Sequence, residues 1–134
     1  AKLNEVRLRV DSQNELNGAI LATGFPFKQP SLMPTQFAIM NNLIDEAADF
    51  RRTGSAALDL CYVASGRVDG YFEMGLKPWD CAAGDLIVRE AGGLVCDFNA
   101  GHGYLRSGNI VAAPARILKE MLNKIQPCLT EQVK

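Results

Sequence analysis

Two carboxylates seven residues apart are the side chains in this sequence best suited to chemistry. Glu73 ends an alternating apolar segment, and Asp80 follows Pro78 and Trp79 in what the sequence predicts to be the first turn of a helix. The helix macrodipole stabilises negative charge in that turn, and an ionised carboxylate is the kind of ligand that Mg²⁺ prefers. Asp80 is therefore a candidate metal ligand, and Glu73 is a candidate acceptor of hydrogen bonds from substrate hydroxyls.

Both carboxylates also have ordinary structural explanations. Asp80 could simply cap the helix, and Glu73 could pair with an Arg or Lys on the surface. The residue types alone leave these alternatives open. We expect Trp79 to be a core anchor rather than a stacking platform for a ligand, because large aromatic side chains contribute mainly to cores.

A second candidate site lies at an earlier strand-to-helix junction, in residues 51–57 (RRTGSAA). Gly54 would let the backbone approach a ligand closely, and the free N–H groups of a helix start could hold an anion or hydroxyl groups. Ser55 also suits a helix N-cap, so an ordinary Gly-Ser cap is the alternative. In open α/β sheets ligands bind beyond the carboxyl ends of the strands, which is where both junctions would lie.

The elements that must position these residues alternate between strands and helices. A polar turn is expected at 11–18. Apolar alternation and short apolar runs predict strands at 6–10, 19–23, 49–53, 68–74, 94–98 and 110–113. Spacings of three and four predict helices that begin near Thr35, Ser55, Pro78 and Pro114. This order predicts an α/β fold, a three-layer α/β/α sandwich with a mixed, partly parallel sheet, as a single domain over residues 1–134.

Two of these helices have a predicted core-facing stripe. In the first helix the stripe consists of Phe37, Met40, Leu43, Ile44, Ala47 and Ala48. In the last helix it consists of Ile117, Leu118, Met121, Leu122 and Ile125, and Pro127 prevents the helix from continuing. The segment between the last two strands is rich in glycine and is expected to be a loop.

Composition and charge exclude several classes of protein. The chain has 134 residues, 48% of them hydrophobic, which is enough for one globular core. With 14 Lys+Arg against 15 Asp+Glu there is no basic field for a nucleic-acid backbone. No apolar run approaches the roughly 18 residues of a membrane span, and no signal-peptide pattern is present. We therefore expect a cytoplasmic protein with no direct membrane contact.

The cysteines fit a reducing compartment. Cys61, Cys81, Cys96 and Cys128 form no C-x-x-C pair, and the sequence contains one histidine, His102. A zinc site is therefore not expected. We expect four reduced thiols in the core, although an even number could form two disulfides in a secreted chain.

The sequence around both junctions resembles the inositol monophosphatase family. The family signature W-D-x-A-A-G with E-A-G-G is matched by residues 79–84 (WDCAAG) and 90–93 (EAGG). The similarity extends through residues 19–27 (AILATGFPF) and 50–59 (FRRTGSAALD) and covers nearly the whole chain. The resemblance implies a Mg²⁺-dependent, lithium-sensitive phosphomonoesterase that hydrolyses inositol monophosphates or related polyol and sugar phosphates, in a protein that is commonly a homodimer.

The same resemblance implies roles for the candidate residues. Asp80 would ligate the second metal ion, Glu73 would accept a hydrogen bond from an inositol hydroxyl, and Gly54, Ser55 and Ala56 would form a substrate-contacting loop. The resemblance is greatest to a bacterial branch whose members also act as accessory factors in ribosomal-RNA transcription antitermination. It therefore implies proteins of the transcription machinery as further partners.

Two family motifs are absent from the sequence. Family members carry an acidic Glu-Glu pair and an Asp-Pro-x-Asp-Gly-Thr motif, which supply most metal ligands and activate the water. The resemblance thus implies that this chain is the C-terminal half of a larger catalytic unit, without its N-terminal half and with no complete catalytic set. We expect it to be inactive alone, because Asp80 cannot hold two Mg²⁺ ions by itself. Arg51 and Arg52 could support dimerisation or contact another protein.

Overall fold

The structure is a computed structural model that describes residues 2–4, 6–10 and 15–129. The strands are β1 (Lys2–Leu3), β2 (Val6–Arg7), β3 (Ile20–Thr23), β4 (Asp49–Arg51), β5 (Gly70–Glu73), β6 (Leu94–Cys96) and β7 (Ile110–Ala113). The α-helices are α1 (Met33–Leu43), α2 (Ala56–Ala64), α3 (Pro78–Glu90), α4 (Tyr104–Ser107) and α5 (Ala115–Ile125). Short 3-10 turns at Pro30–Leu32 and Gln126–Cys128 precede α1 and follow α5.

Five of the strands form one mixed sheet in the order β4-β3-β5-β7-β6. β3 runs parallel to both β4 and β5, with Ala22 opposite Tyr71 in the second pair. β7 runs antiparallel to β5 and β6, with Val111 opposite Phe72. β1 and β2 form a separate antiparallel pair. The predicted partly parallel sheet is therefore confirmed.

Helices cover both faces of this sheet because successive strand side chains point to opposite sides. On one face Leu21, Phe72 and Val111 pack with side chains of α1 and α5. On the other face Ala22, Tyr71 and Ala112 pack with side chains of α2 and α3. The predicted three-layer α/β/α sandwich is confirmed, with one apolar core on each side of the sheet.

The last helix has the predicted face. All five stripe residues of α5, from Ile117 to Ile125, are buried. A fully buried side chain of this size contributes about 1.5–3 kcal/mol, so this face anchors the helix to the sheet.

The first helix differs from its prediction. α1 buries Thr35, Gln36, Ile39 and Leu43 and ends at Leu43. Ala47 and Ala48 lie beyond the end of the helix. Phe37 and Ile44 are 56% and 58% exposed, and Ala48 is also exposed, so the predicted stripe was wrong for these three residues. The physical reason is that the Gln36 side-chain N–H donates to the buried Thr23 Oγ1 at 3.0 Å, which lets a polar residue occupy the core-facing side.

Smaller differences concern boundaries and loops. Several strands are shorter than predicted, and α4 is a short helix inside the segment expected to be a loop. The predicted turn at 11–18 falls partly outside the described residues. The four cysteines are free thiols; Cys81 and Cys96 are buried as expected, whereas Cys61 and Cys128 are only partly buried. Within the described ranges, no helix is both long and apolar enough to span a bilayer.

Candidate functional site

A cavity of about 520 Å³ lies at the carboxyl ends of the parallel strands β3, β4 and β5. Its lining includes all the residues proposed from the sequence as ligand or metal contacts: Gly54, Ser55, Ala56, Glu73 and Asp80. Two junctions that are separate in the sequence therefore form one site.

The parallel strands explain why these segments converge. β3, β4 and β5 point in the same direction, so their carboxyl ends meet at one edge. The segments that follow these three strands, beginning at Gly24, Arg52 and Met74, each contribute to the cavity lining. Such an edge is where open α/β sheets bind ligands.

Glu73 is the last residue of β5 and is partly buried beside the cavity. The Tyr71 phenol donates a hydrogen bond of 2.7 Å to Glu73 Oε1. The alternative of a surface ion pair is not what the structure has, because the carboxylate is held by a buried tyrosine instead. Only one carboxylate oxygen takes this bond, so the other can accept a hydrogen bond from a ligand.

Gly24 provides the space that this carboxylate occupies. A Cβ built on Gly24 would overlap the carboxylate atoms of Glu73. Any larger residue would displace Glu73 from its position next to Tyr71. The position requires glycine for close approach, a role that the sequence alone did not identify.

Burial raises the pKa of Glu73 above its ordinary value. The carboxylates of Asp59 and Asp80 raise this pKa further, whereas the Tyr71 hydrogen bond and the Arg52 guanidinium lower it. Burial also raises the pKa of Tyr71, so its phenol keeps its proton as a donor. The pair is thus suited to accept hydrogen bonds from hydroxyl groups.

Asp80 caps a helix and also lines the cavity. The backbone N–H of Lys77 donates to Asp80 Oδ2 at 2.9 Å, so the carboxylate does cap α3. Asp80 also lines the cavity and is only partly buried. A carboxylate has two oxygens, so capping through one of them is compatible with cation binding through the other.

Trp79 is not a core anchor, and that expectation was wrong. Its side chain is 79% exposed and lines the cavity. The buried residues of α3 are Cys81, Gly84, Asp85 and Val88, which lie on the face towards the sheet. Trp79 points elsewhere because it lies off that helical face.

The Gly54-Ser55-Ala56 loop both caps helix α2 and lines the cavity. Gly54 has a φ of +84°, which disfavours any residue with a Cβ. Ser55 Oγ accepts the backbone N–H of Leu58 at 3.3 Å, so the N-cap alternative is observed. Ser55 and Ala56 line the cavity at the same time. The N-cap is therefore observed, and the position of the loop at the cavity is compatible with contact to a ligand.

The sequence did not identify three polar or small residues near these groups: Gly24, Asp59 and Tyr71. Asp59 lies in the first turn of α2 and is 1% exposed, with a hydrogen bond from Thr53. The signal available in the sequence was an acidic residue between Leu58 and Leu60 in a predicted helix. A buried Asp needs a hydrogen-bond partner, so this position indicated a polar contact in the core.

The described residues do not provide a complete set of ligands for a Mg²⁺ ion. Mg²⁺ takes about six oxygen ligands, several of them water. Over residues 2–4, 6–10 and 15–129, no cluster of three His, Cys, Asp or Glu side chains could hold a metal ion. Asp80 is the residue whose chemistry and position fit one ligand of such an ion.

Comparison with known proteins shows close relatives. The chain is 83% identical over 129 residues to the Nus factor SuhB of Haemophilus influenzae, covering 96% of this chain and 48% of that protein. It is 57% identical over 134 residues to the Nus factor SuhB of Escherichia coli K12, covering 100% and 50%. The chain thus spans about half the length of the curated relatives it matches.

Solved structures share the fold. The extragenic suppressor protein suhB of Bartonella henselae superposes with a TM-score of 0.87 at 40% identity, covering 92% of this chain and 47% of that one. The inositol monophosphatase of Anabaena gives a TM-score of 0.86 at 35% identity, covering 92% and 51%. The model of the inositol monophosphatase family matches residues 1–131. With nearly every residue matched and the same fold in these relatives, the chain belongs to the inositol monophosphatase family.

Proposed function

We propose that the intact protein is a Mg²⁺-dependent phosphomonoesterase that hydrolyses inositol monophosphate or a related polyol or sugar phosphate. The observation that carries this proposal is the convergence of Glu73, Asp80 and the Gly54-Ser55-Ala56 loop on one cavity. Family membership supports it, because a chain of this family would place its hydroxyl-binding and metal-binding groups together.

The charges around the cavity suit a phosphate ester. Lys28, Arg52 and Lys77 all belong to its lining. Cationic side chains attract a phosphate group and hold it near Glu73, which binds a hydroxyl group of the same substrate. Arg52 also lies over the Phe27 ring at 5.3 Å, which limits where its guanidinium can move.

Each candidate residue has a distinct task in this proposal. Glu73 accepts a hydrogen bond from a ring hydroxyl through the oxygen that Tyr71 does not use, and the Gly54-Ser55-Ala56 loop also contacts the substrate. Asp80 contributes one oxygen ligand to Mg²⁺. When bound, Mg²⁺ would stabilise the negative charge that develops during in-line displacement at phosphorus.

We also propose that residues 1–134 are the C-terminal half of the catalytic unit and are inactive alone. The incomplete ligand set and the matched half-length support this. Leu58 on α2 and Leu86 on α3 are 48% and 52% exposed, and the rest of the catalytic unit would cover such apolar side chains. Mg²⁺-dependent phosphate release by the purified 134-residue chain would contradict this proposal.

The test of the enzymatic proposal is Asp80→Asn in the intact protein. Release of phosphate from inositol monophosphate should require Mg²⁺, should be inhibited by lithium, and should fall at least about a hundredfold in the variant. Even a residue that only supports a metal ligand costs about 10–100-fold. Asp45→Asn is the matched control, because Asp45 is exposed and is not part of the cavity lining. Unchanged activity in Asp80→Asn would refute the role of Asp80.

The names of the close relatives favour a second function. Proteins called Nus factor SuhB match this chain at 83% and 57% identity. We propose that the intact protein also acts in the cytoplasm as an accessory factor in ribosomal-RNA transcription antitermination, through proteins of the transcription machinery. Asp80→Asn should abolish hydrolysis and leave protein binding intact. Loss of both would count against two separable functions.

Exposed apolar residues outside the cavity support a homodimer. Phe37 and Ile44 are 56% and 58% exposed, and β4 is an edge strand of the sheet. Arg51 on that strand pairs with Asp49 at 2.8 Å, whereas Arg52 turns towards the cavity. A second copy of the protein would cover this apolar surface. Sedimentation of the intact protein as a monomer would contradict the proposal.

A further inference from the structure

A chain of hydrogen bonds from Asp59 through Thr53 to Ser55 lies beside the cavity. It joins the buried first turn of α2 to the segment before that helix, where Thr53 and Gly54 are exposed. We propose that Thr53 and Asp59 are positioning residues, which hold the Gly54-Ser55-Ala56 loop in the conformation that contacts the substrate. The inference rests on the proposed function of the cavity. It adds two residues to which neither the sequence motifs nor the family resemblance gave a role.

The Thr53 hydroxyl is the centre of this chain. Thr53 Oγ1 lies 2.9 Å from Asp59 Oδ1, 3.1 Å from the backbone nitrogen of Ser55 and 3.2 Å from the Ser55 carbonyl oxygen. A hydroxyl has one proton, and the carboxylate is the nearer and stronger acceptor. Thr53 therefore donates to Asp59 and accepts the N–H of Ser55.

Asp59 is the fixed end of the chain. Its side chain is 1% exposed, and its backbone N–H donates to the Ser55 carbonyl at 2.9 Å in the first turn of α2. Burial raises the pKa of Asp59 to about 6, while the Thr53 hydrogen bond lowers it. A buried carboxylate is costly unless it is hydrogen-bonded, so a purely structural role would be better served by an apolar residue.

The loop needs such a restraint. Thr53 and Gly54 are exposed, and Gly54 adopts a left-handed conformation at φ +84° with no neighbouring atoms around the position of a Cβ. Glycine in an exposed loop has many alternative conformations. The restraints are the Ser55 cap on Leu58 and the Thr53 hydroxyl. Without the hydroxyl, the loop would be ordered at its helical end alone.

The test compares Thr53→Val with Thr53→Ser in the intact protein. The first variant keeps the shape of threonine without the hydroxyl, and the second keeps the hydroxyl. For Thr53→Val we expect amide hydrogen exchange of Ser55 to be about five- to tenfold faster, the size of one lost hydrogen bond. We expect KM for inositol monophosphate to rise by a similar factor with a smaller change in kcat, because the loop binds ground state and transition state alike.

Thr53→Ser should restore both measurements to near the wild-type values. A general loss of structure would not produce this pattern, because it would change exchange throughout the α2 region and lower kcat as well. Asp59→Asn retains an acceptor oxygen and should give an intermediate KM. Unchanged Ser55 exchange in Thr53→Val, or failure of Thr53→Ser to restore it in a folded protein, would overturn the inference.

The two proposals fail in different ways. If the wild-type protein does not hydrolyse inositol monophosphate, the proposed function fails, while the exchange of Ser55 still decides whether Thr53 orders the loop. If hydrolysis occurs and KM is the same in Thr53→Val and Thr53→Ser, the positioning role fails and the phosphatase proposal stands.

Discussion

The helices on the two faces of the sheet differ in what they bury. α5 buries five Ile, Leu and Met side chains, and it presents no charge to the sheet. The α2 and α3 pair buries two carboxylates, Asp59 and Asp85, and brings the helices so close that a Cβ on Gly84 would lie 2.5 Å from Leu60 Cδ1. α5 thus stabilises the sheet through apolar contacts alone, whereas the α2 and α3 pair bears the cost of buried carboxylates, one of which, Asp59, holds Thr53 beside the cavity.

The first test removes apolar volume from the stabilising layer. Ile117→Ala should lower the free energy of unfolding of the intact protein by about 2–5 kcal/mol, because it removes a buried side chain and leaves a cavity. KM for inositol monophosphate should be unchanged among molecules that remain folded. Urea denaturation and steady-state kinetics measure the two quantities. A large rise in KM would show that α5 also shapes the site.

The second test concerns Asp59 on the opposite face of the sheet. Here the substitution is expected to raise the free energy of unfolding rather than lower it. The pKa of Asp59 is about 6 in the folded protein, above the ordinary value of 3.8. The group is protonated in both states below about pH 4, and as the pH rises through 6 the folded state bears the cost of a buried charge. Native stability due to Asp59 therefore falls between pH 4 and pH 6, by up to about 3 kcal/mol.

Asp59→Asn should consequently stabilise the protein at pH 8 and have little effect at pH 4. Urea denaturation at both pH values measures the difference. Asp45→Asn is the control, since it makes the same chemical change at an exposed aspartate. If Asp59→Asn changed the free energy of unfolding equally at both pH values, ionisation of Asp59 in the folded protein would carry no energetic cost, contrary to this prediction.

The third test alters the space around Glu73. Gly24→Ala should raise KM about tenfold, because the added methyl group overlaps the Glu73 carboxylate and displaces it from the cavity wall. In a Glu73→Ala background the same change at Gly24 should have little further effect. Additive effects of the two substitutions would contradict the explanation, since independent residues are additive and contacting ones are not.

The smallest expected effect comes from a single hydroxyl. Tyr71→Phe removes the hydrogen bond to Glu73 and should raise KM about fivefold, the size of one such bond. Because that bond lowers the pKa of Glu73, its loss should also shift the acidic limb of the KM profile to higher pH. Tyr104→Phe removes a similarly buried phenol outside the cavity lining and should leave both measurements unchanged.

Much of the fold could be predicted from the sequence because its signals are local. A short apolar run identified the strand that became β3, alternation identified β5, and the spacing of Ile117 to Ile125 identified the buried face of α5. Prediction was wrong where a distant partner decides burial. Gln36 is buried because Thr23 accepts its amide, and Phe37 is exposed as a consequence of the same helix orientation.

For the candidate site too, local sequence signals were sufficient for some features and not for others. Residue type and helix position were sufficient to select Asp80, Glu73 and the loop from Gly54 to Ala56. They were not sufficient to show that Trp79 is exposed, since a tryptophan at a helix start is compatible with either environment. Nor could they show that Tyr71 holds Glu73, since alternation places these two residues on the same face of β5 but does not identify their hydrogen-bond partners.

The sequence by itself determined the order of strands and helices, the apolar faces that join most of them, and the residue types available for chemistry. Only the tertiary structure decided that the segments after β3, β4 and β5 share one cavity, with Gly24 making room for Glu73 and Thr53 linking Asp59 to the loop. The physical reason is that periodicity is a property of a few consecutive residues. Parallel strand order and close approach, by contrast, depend on residues that are far apart in the chain.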